Sequence, residues 1–128
     1  MIILLDTSTP TCKLTLVDNG EKREFEWQAD RQLAKGLLSF LERSLSENGQ
    51  SLNSIRGLGI MKGPGSFTGL RIGITVFNTI ADTNNVPIVG ESGDSWQDKA
   101  IMRLENGEND HVVLPEYGSE ANITKPRK

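Results

Sequence analysis

The spacing of apolar and polar positions predicts three strands before the first helix. Residues 2–5 are a continuous apolar run, which is typical of a strand buried on both faces. Residues 12–17 and 23–28 alternate apolar with polar side chains, as half-buried strands do. The Asp-Asn-Gly sequence at residues 18–20 favours a tight hairpin turn between them. We therefore expect the first 28 residues to form a three-stranded meander.

The next part of the chain predicts helices that alternate with strands. Leucines recur at helical spacing between Leu33 and Leu45, and Gly49 is a natural stop for that helix. A strand is expected over 55–61, a tight loop over 62–69, a second helix over 70–83 and a short strand over 86–89. Weak helical spacing over 96–104 and a possible last strand over 112–114 follow.

The order strand, strand, strand, helix, strand, helix, strand indicates an α/β fold. It matches the ribonuclease-H-like core of the actin-like ATPase superfamily, a mixed sheet with helices packed on it. The length of 128 residues fits a single domain.

The charge and the cysteine content of the chain exclude several classes of protein. The net charge is -3, and no basic run precedes Lys125, Arg127 and Lys128. We therefore do not expect the chain to bind nucleic acid directly, because proteins that do so usually carry a basic patch. The single cysteine, Cys12, excludes an internal disulfide and fits a reducing compartment. The start of the chain does not resemble a signal peptide, and no apolar run has transmembrane length. We therefore expect a cytoplasmic protein without a membrane partner.

Two polar segments are candidate sites for a nucleotide or phosphate. Asp6, Thr7 and Ser8 follow the first strand, and ligands of open α/β sheets bind outside the carboxyl ends of strands. The second segment contains Gly63, Gly65, Ser66 and Thr68 between a strand and a helix, where backbone N–H groups attract anions. It is not a Walker loop, because no Gly-Lys-Ser/Thr closes it. Both segments are also explained as polar turns, in which side chains hydrogen-bond to the segment's own backbone and glycines permit a sharp turn. This alternative stays open.

Residues for metal or nucleophilic chemistry are scarce. The chain has one histidine, His111, and one cysteine, so neither a tightly held transition metal nor a Ser-His-Asp site is expected. Residues 55–69 contain no Asp or Glu, whereas a two-metal nuclease needs converging carboxylates. We assign no catalytic and no metal-binding residues.

The second helix carries two apolar stripes where a surface helix needs one. Leu70, Ile74, Phe77 and Ala81 form the first stripe, and Ile72, Val76 and Ile80 form the second. Gly69 and Gly73 lie beside the second stripe and would let another backbone approach closely. The helix is either enclosed within its own domain, or its second face binds a partner together with Leu33 and Leu37 of the first helix.

Two segments together resemble the TsaB (YeaZ) family. Residues 4–9 with Cys12 are similar to the start of that family, and residues 63–73 are similar to its signature almost letter for letter. Residues 86–92 fit the strand that follows, so the resemblance covers residues 1 to about 96. The segment 115–128 resembles the extreme C-terminus of the family, especially Tyr117 and residues 122–126.

The resemblance implies a non-catalytic scaffold. Family members associate through the helix pair described above, and they pair with the catalytic subunit TsaD. Without TsaD, we expect the same exposed apolar face to drive homodimerisation. With the ATPase TsaE, family members support the transfer of threonylcarbamoyl to tRNA, so we expect ATP or ADP at the level of the complex and tRNA only through the complex. The alternative is a single-domain nucleotide-binding module.

The chain departs from the two-halved family pattern in length. Only 32 residues follow Trp96, too few for a second half. We expect a family-like domain over 1–96, a short helix and strand over 97–114 in place of that half, and a family-like tail over 115–128.

Overall fold

A computed structural model describes residues 1–116 as a five-stranded mixed sheet with helices on both faces. The sheet order is β3-β2-β1-β4-β5. The first three strands are antiparallel, and β4 and β5 continue the sheet parallel to β1. The strands are β1 (Ile2–Asp6), β2 (Thr11–Asp18), β3 (Glu21–Gln28), β4 (Gly57–Met61) and β5 (Ile88–Glu91).

Three α-helices follow the predicted order. They are α1 (Leu33–Ser46), α2 (Phe67–Asn84) and α3 (Trp96–Glu105), and short 3-10 turns lie at Asp30–Gln32 and Leu52–Ser54. Helix α2 begins three residues before the predicted start, because the Ser66 hydroxyl caps it by accepting from the Gly69 N–H at 3.2 Å. It ends at Asn85, whose left-handed backbone (φ 54°) stops the helix.

The strand pattern divides the core between the two sheet faces. Helices α1 and α2 cover the face that carries Ile3, Leu5, Leu14 and Ile60. Helix α3 covers the other face, where Trp96, Ala100 and Leu104 pack on Ile2, Leu4 and Val89. Alternate residues of β1 therefore enter different clusters, as the two-residue period of a strand requires. Each fully buried leucine or isoleucine contributes about 1.5–3 kcal/mol.

The predicted last strand over 112–114 is wrong. The backbone of Val113 pairs with a side chain, since Asn78 donates to its carbonyl at 3.0 Å and accepts from its N–H at 2.9 Å. Residues 112–114 therefore belong to no strand ladder. The tail prediction for 115–128 falls mostly outside the described residues, as do Tyr117 and the basic residues at 125, 127 and 128.

No helix in residues 1–116 is long and apolar enough to cross a membrane.

Candidate functional site

The carboxyl end of β1 meets the N-terminal end of α2, so the two candidate segments lie side by side. A Cβ built on Gly65 would be 2.5 Å from the Ser8 Cβ. A Cβ on Gly69 would be 2.3 Å from the carbonyl oxygen of Thr7. The glycines of the loop thus allow the loop and helix to close onto the turn after β1.

Within the first segment, the polar groups bond to the chain itself. One Asp6 carboxylate oxygen accepts from the Ser8 N–H at 2.9 Å and from the Ser8 hydroxyl at 2.6 Å. The Thr7 hydroxyl is fully buried and donates to the carbonyl of Gly69 at 2.7 Å. The Asp6–Ser8 contacts are those of a polar turn that hydrogen-bonds within itself. The Thr7 hydrogen bond links the end of β1 to α2.

The second segment is also held by internal contacts. The Ser66 N–H donates to the carbonyl of Ser8 at 2.8 Å, while its hydroxyl caps α2. Gly63 has a left-handed backbone (φ 124°), and a Cβ there would lie 2.0 Å from the carbonyl oxygen of Glu116. Thr68 is exposed. Nucleotide binding by these residues stays a prediction.

The structure does not bring the candidate nucleotide residues into one cavity. Ser66 and Thr68 line an open cleft of about 950 Å³ with Thr9, Gln28 and Arg31, on the side of α1 and α2. Asp6 lines a separate hollow of about 380 Å³ beside α3, together with Lys13, Gln97 and Asp98. A single ligand that contacts Asp6, Ser66 and Thr68 at once would have to reach both hollows.

Within residues 1–116, the side chains that could bind a metal ion or act as nucleophiles are dispersed. No three His, Cys, Asp or Glu side chains of this range lie close enough together to hold a metal ion. Cys12 is buried, and this burial, with a smaller effect from Asp6, raises the pKa of its thiol to about 12. A protonated, enclosed thiol is a poor nucleophile.

The partner face predicted from the sequence needs correction. Gly69 and Gly73 are buried against Thr7, and a Cβ on Gly73 would lie 2.2 Å from the Thr7 hydroxyl oxygen. The interpretation that these glycines leave room for a partner backbone is therefore wrong. Three apolar members of that set are also buried within the chain: Leu33, Leu37 and Ile80. Ile72 and Val76 are partly buried and reach the surface.

A groove runs along the seam between α1 and α2. Two hollows of about 370 and 310 Å³ share Thr75 and Val76 in their linings. The floor of the second is almost entirely apolar and includes Leu38, Leu52 and Ile80. Leu38 is 48% exposed, a large fraction for a leucine in the middle of a helix. We call this surface the α1–α2 groove.

The sequence contained a signal for Leu38 that the leucine spacing obscured. Leu37 and Leu38 are adjacent, so they point about 100° apart on a helix and cannot both lie at the centre of the face that packs on the core. Leu37 faces the core at 1% exposure, and Leu38 faces the groove. Leu52, Thr75 and Thr79, which the sequence did not suggest, complete its lining.

Comparison with known proteins identifies the family. Residues 27–93, more than half of the chain, match the family model of TsaD, described as tRNA N6-adenosine threonylcarbamoyltransferase. The chain is 32% identical over 108 residues to the tRNA threonylcarbamoyladenosine biosynthesis protein TsaB of Haemophilus influenzae. It is 33% identical over 91 residues to TsaB of Escherichia coli. The chain belongs to the TsaB (YeaZ) family.

Solved TsaB-type structures confirm the predicted fold class. YeaZ from Pseudomonas aeruginosa superposes with a TM-score of 0.63 at 30% identity, over 71% of this chain and 44% of that protein. A Pseudomonas aeruginosa protein described as similar to peptidase YEAZ gives a TM-score of 0.67 at 32% identity, over 71% and 42% of the two chains. The mixed sheet of the chain is therefore the ribonuclease-H-like unit of the actin-like superfamily.

The relatives are longer than this chain. The matches cover 84% of the chain and 46% of the Haemophilus TsaB, and 71% of the chain and 39% of the Escherichia TsaB. The matched part of the chain thus spans less than half the length of each of these TsaB relatives. The part matched by the TsaD family model begins within β3 and contains both helices of the α1–α2 groove.

Proposed function

We propose that this TsaB-type chain is a non-catalytic partner subunit that binds a TsaD-type transferase through the α1–α2 groove. The TsaB relatives are named as proteins of tRNA threonylcarbamoyladenosine biosynthesis. In this proposal, the complex attaches threonylcarbamoyl to tRNA together with a TsaE-type ATPase. The tRNA binds to the assembled complex rather than to the chain alone, and ATP or ADP is used at the level of the complex.

The apolar groove is the observation that carries the proposal. Leu38 is 48% exposed, and Ile72 and Val76 are partly exposed beside it, in hollows that α1 and α2 leave open. Exposed, contiguous apolar surface of this kind marks protein–protein contacts. The groove follows α2 from Thr68 to Asn84, a rise of about 25 Å at 1.5 Å per residue, enough for a partner helix of several turns.

The groove also supports self-association in the absence of TsaD. Two copies that pack this face against each other would bury the same apolar side chains symmetrically, as twofold dimers do. We therefore expect a homodimer in solution that gives way to the complex when TsaD is added. Light scattering at increasing concentration measures the first state, and size exclusion with TsaD measures the second.

Charged substitutions in the groove test the proposal. Leu38→Glu and Val76→Glu should each weaken binding to the TsaD of the same genome by at least about 100-fold, because an unpaired charge would enter an apolar contact. Met102→Glu is the matched control, since Met102 is 57% exposed on α3, on the opposite sheet face. Circular dichroism confirms that each variant is folded.

The outcome that overturns the proposal is specific. A folded Leu38→Glu variant that binds TsaD as tightly as the wild type would exclude the groove as the interface. For the non-catalytic role, the chain is incubated with tRNA and threonylcarbamoyl-adenylate, without TsaD. We expect no modified adenosine, and its formation would show that the chain is itself a transferase.

A further inference from the structure

The segment that follows α3 covers the outer edge of the sheet. We call residues 109–116 the strap. At its start, the Asn109 side chain accepts from the Ile88 N–H at 3.1 Å, and the Asp110 N–H donates to the Ile88 carbonyl at 2.7 Å. The Asp110 carboxylate accepts from the Gly90 N–H at 2.9 Å. The strap therefore satisfies backbone groups of the edge strand β5 that would otherwise be open.

The middle of the strap is fixed by buried contacts. Val113 is 3% exposed and fills the space above Gly90, where a Cβ would lie 2.6 Å from one of its methyl groups. Asn78 of α2 holds the Val113 backbone through two hydrogen bonds. Arg103 of α3 binds the Asp110 carboxylate. Helices from both sheet faces thus anchor residues 110–113.

The end of the strap lies at the carboxyl ends of β4 and β5. The Glu116 N–H donates to the Lys62 carbonyl at 2.6 Å, directly after β4. One oxygen of the Glu116 carboxylate lies 3.6 Å from the Lys62 ammonium nitrogen, and the other accepts from the Ser92 hydroxyl at 3.1 Å. A cation and a hydroxyl thus hold an anionic group at the sheet edge where open α/β sheets bind ligands.

The contacts of Glu116 differ in kind from those of Asp6. Asp6 bonds to Ser8, two residues away, so its contacts persist whenever that turn is formed. Glu116 comes from a distant part of the chain, and its side chain is 53% exposed against 32% for Lys62. Exposed ion pairs contribute little to stability. The Glu116 side chain can therefore swing away from Lys62 while the backbone of the strap stays bonded to the Lys62 carbonyl.

We propose that Lys62 and Ser92 form a subsite for a phosphate oxyanion, which Glu116 closes by placing its own carboxylate there. Phosphate and carboxylate oxygens accept the same hydrogen bonds from ammonium and hydroxyl donors. A phosphate group that enters displaces the Glu116 carboxylate, while the hydrogen bond from the Glu116 N–H to the Lys62 carbonyl is kept. The subsite lies away from the α1–α2 groove and does not depend on TsaD binding.

Isothermal titration of the full chain with pyrophosphate and, separately, with ATP tests the subsite at constant ionic strength. Glu116→Gln should bind pyrophosphate at least about tenfold more tightly than the wild type, because a competing negative charge is removed from beside Lys62. Adding Lys62→Ala to that variant should abolish the gain. Tighter binding of ATP than of pyrophosphate would identify a nucleotide as the source of the phosphate, and equal binding would identify free phosphate.

A charge-matched variant separates the subsite from a general effect of net charge. Glu108→Gln removes one negative charge near the strap, at a carboxylate that binds Arg103 rather than Lys62. It should leave pyrophosphate binding at the wild-type level. An equal gain in Glu108→Gln, no gain in Glu116→Gln, or a gain that survives Lys62→Ala would each overturn the subsite. Binding of these variants to TsaD is measured in parallel, so failure here is distinct from failure of the proposed function.

Discussion

Gly73→Ala in α2 should destabilise the chain, although the same change at an exposed helix position stabilises by about 1 kcal/mol. A Cβ at Gly73 would lie 2.2 Å from the Thr7 hydroxyl oxygen and 2.9 Å from its methyl carbon. Thr7 is fully buried, and its hydroxyl donates to the Gly69 carbonyl. The side chain therefore cannot rotate away without breaking a buried hydrogen bond.

The expected loss follows from opposing contributions. Inserting a methyl group into a packed site costs about 1–3 kcal/mol, and weakening the buried hydrogen bond of Thr7 costs about 1–3 kcal/mol more. The higher helix propensity of alanine offsets about 1 kcal/mol of this loss. We expect Gly73→Ala to lower the free energy of unfolding by about 1–5 kcal/mol, a large part of the stability of a small domain.

Urea unfolding followed by circular dichroism measures this loss as a lower midpoint at constant slope. The Thr7→Ala variant lacks the hydroxyl oxygen and the methyl carbon that a Cβ at Gly73 would meet. In that variant, Gly73→Ala should therefore lower the free energy of unfolding by at least about 1 kcal/mol less than in the wild type. Thr75→Ala, at an exposed position of the same helix, is the control and should change stability by about 0.5 kcal/mol or less. A Gly73→Ala chain as stable as the wild type would show that the glycine face is open, and would restore it as a candidate partner surface.

Three further predictions rest on single contacts. Because burial, then Asp6, raises the pKa of Cys12 from 9.0 to about 12, the stability it contributes is present below about pH 9 and is lost above it, so urea midpoints should fall there. Burial tends to raise the pKa of Asp110, but hydrogen bonds from Arg103 and the Gly90 N–H lower it overall. Its stabilisation is lost on acidification below about pH 4, and Asp110→Asn should reduce the fall in midpoint between about pH 6 and pH 3. Gly36→Ala would place a Cβ 2.5 Å from the Trp27 ring, so overpacking of about 1–3 kcal/mol, less about 1 kcal/mol of gained helix propensity, should leave a net cost of up to about 2 kcal/mol by tryptophan-monitored unfolding.

Local periodicity was sufficient to predict most elements of this fold. The stripe of Leu70, Ile74, Phe77 and Ala81 is buried as predicted, at 0–5% exposure. This stripe was predictable because helical spacing alone determines which residues share a face. The start of α2 was less predictable, since a serine cap and the three residues after it carry no apolar periodicity.

Contacts between distant parts of the chain were beyond the sequence pattern. Gly69 and Gly73 indicated a close approach of some backbone or side chain, but their spacing does not say which. The structure supplies Thr7, which is more than 60 residues away along the chain. The strap could not be predicted for the same reason. The apolar run at 112–114 suggested a strand, but the Val113 backbone hydrogen-bonds to the Asn78 side chain and not to a neighbouring strand.

The separation of Asp6 from Ser66 and Thr68 follows from the geometry of a strand. Side chains alternate between sheet faces with a period of two, so Asp6 shares the α3 face with Leu4. Thr7 points to the other face, where it contacts α2. Consecutive polar residues that end a strand therefore cannot all converge on one ligand unless the chain turns sharply between them. In this chain the turn is closed by the Asp6–Ser8 hydrogen bonds, which leaves Thr7 to join strand and helix. That connection is sufficient to explain a polar triplet at the end of β1, whereas Lys62 and Ser92, which follow β4 and β5, both contact the Glu116 carboxylate.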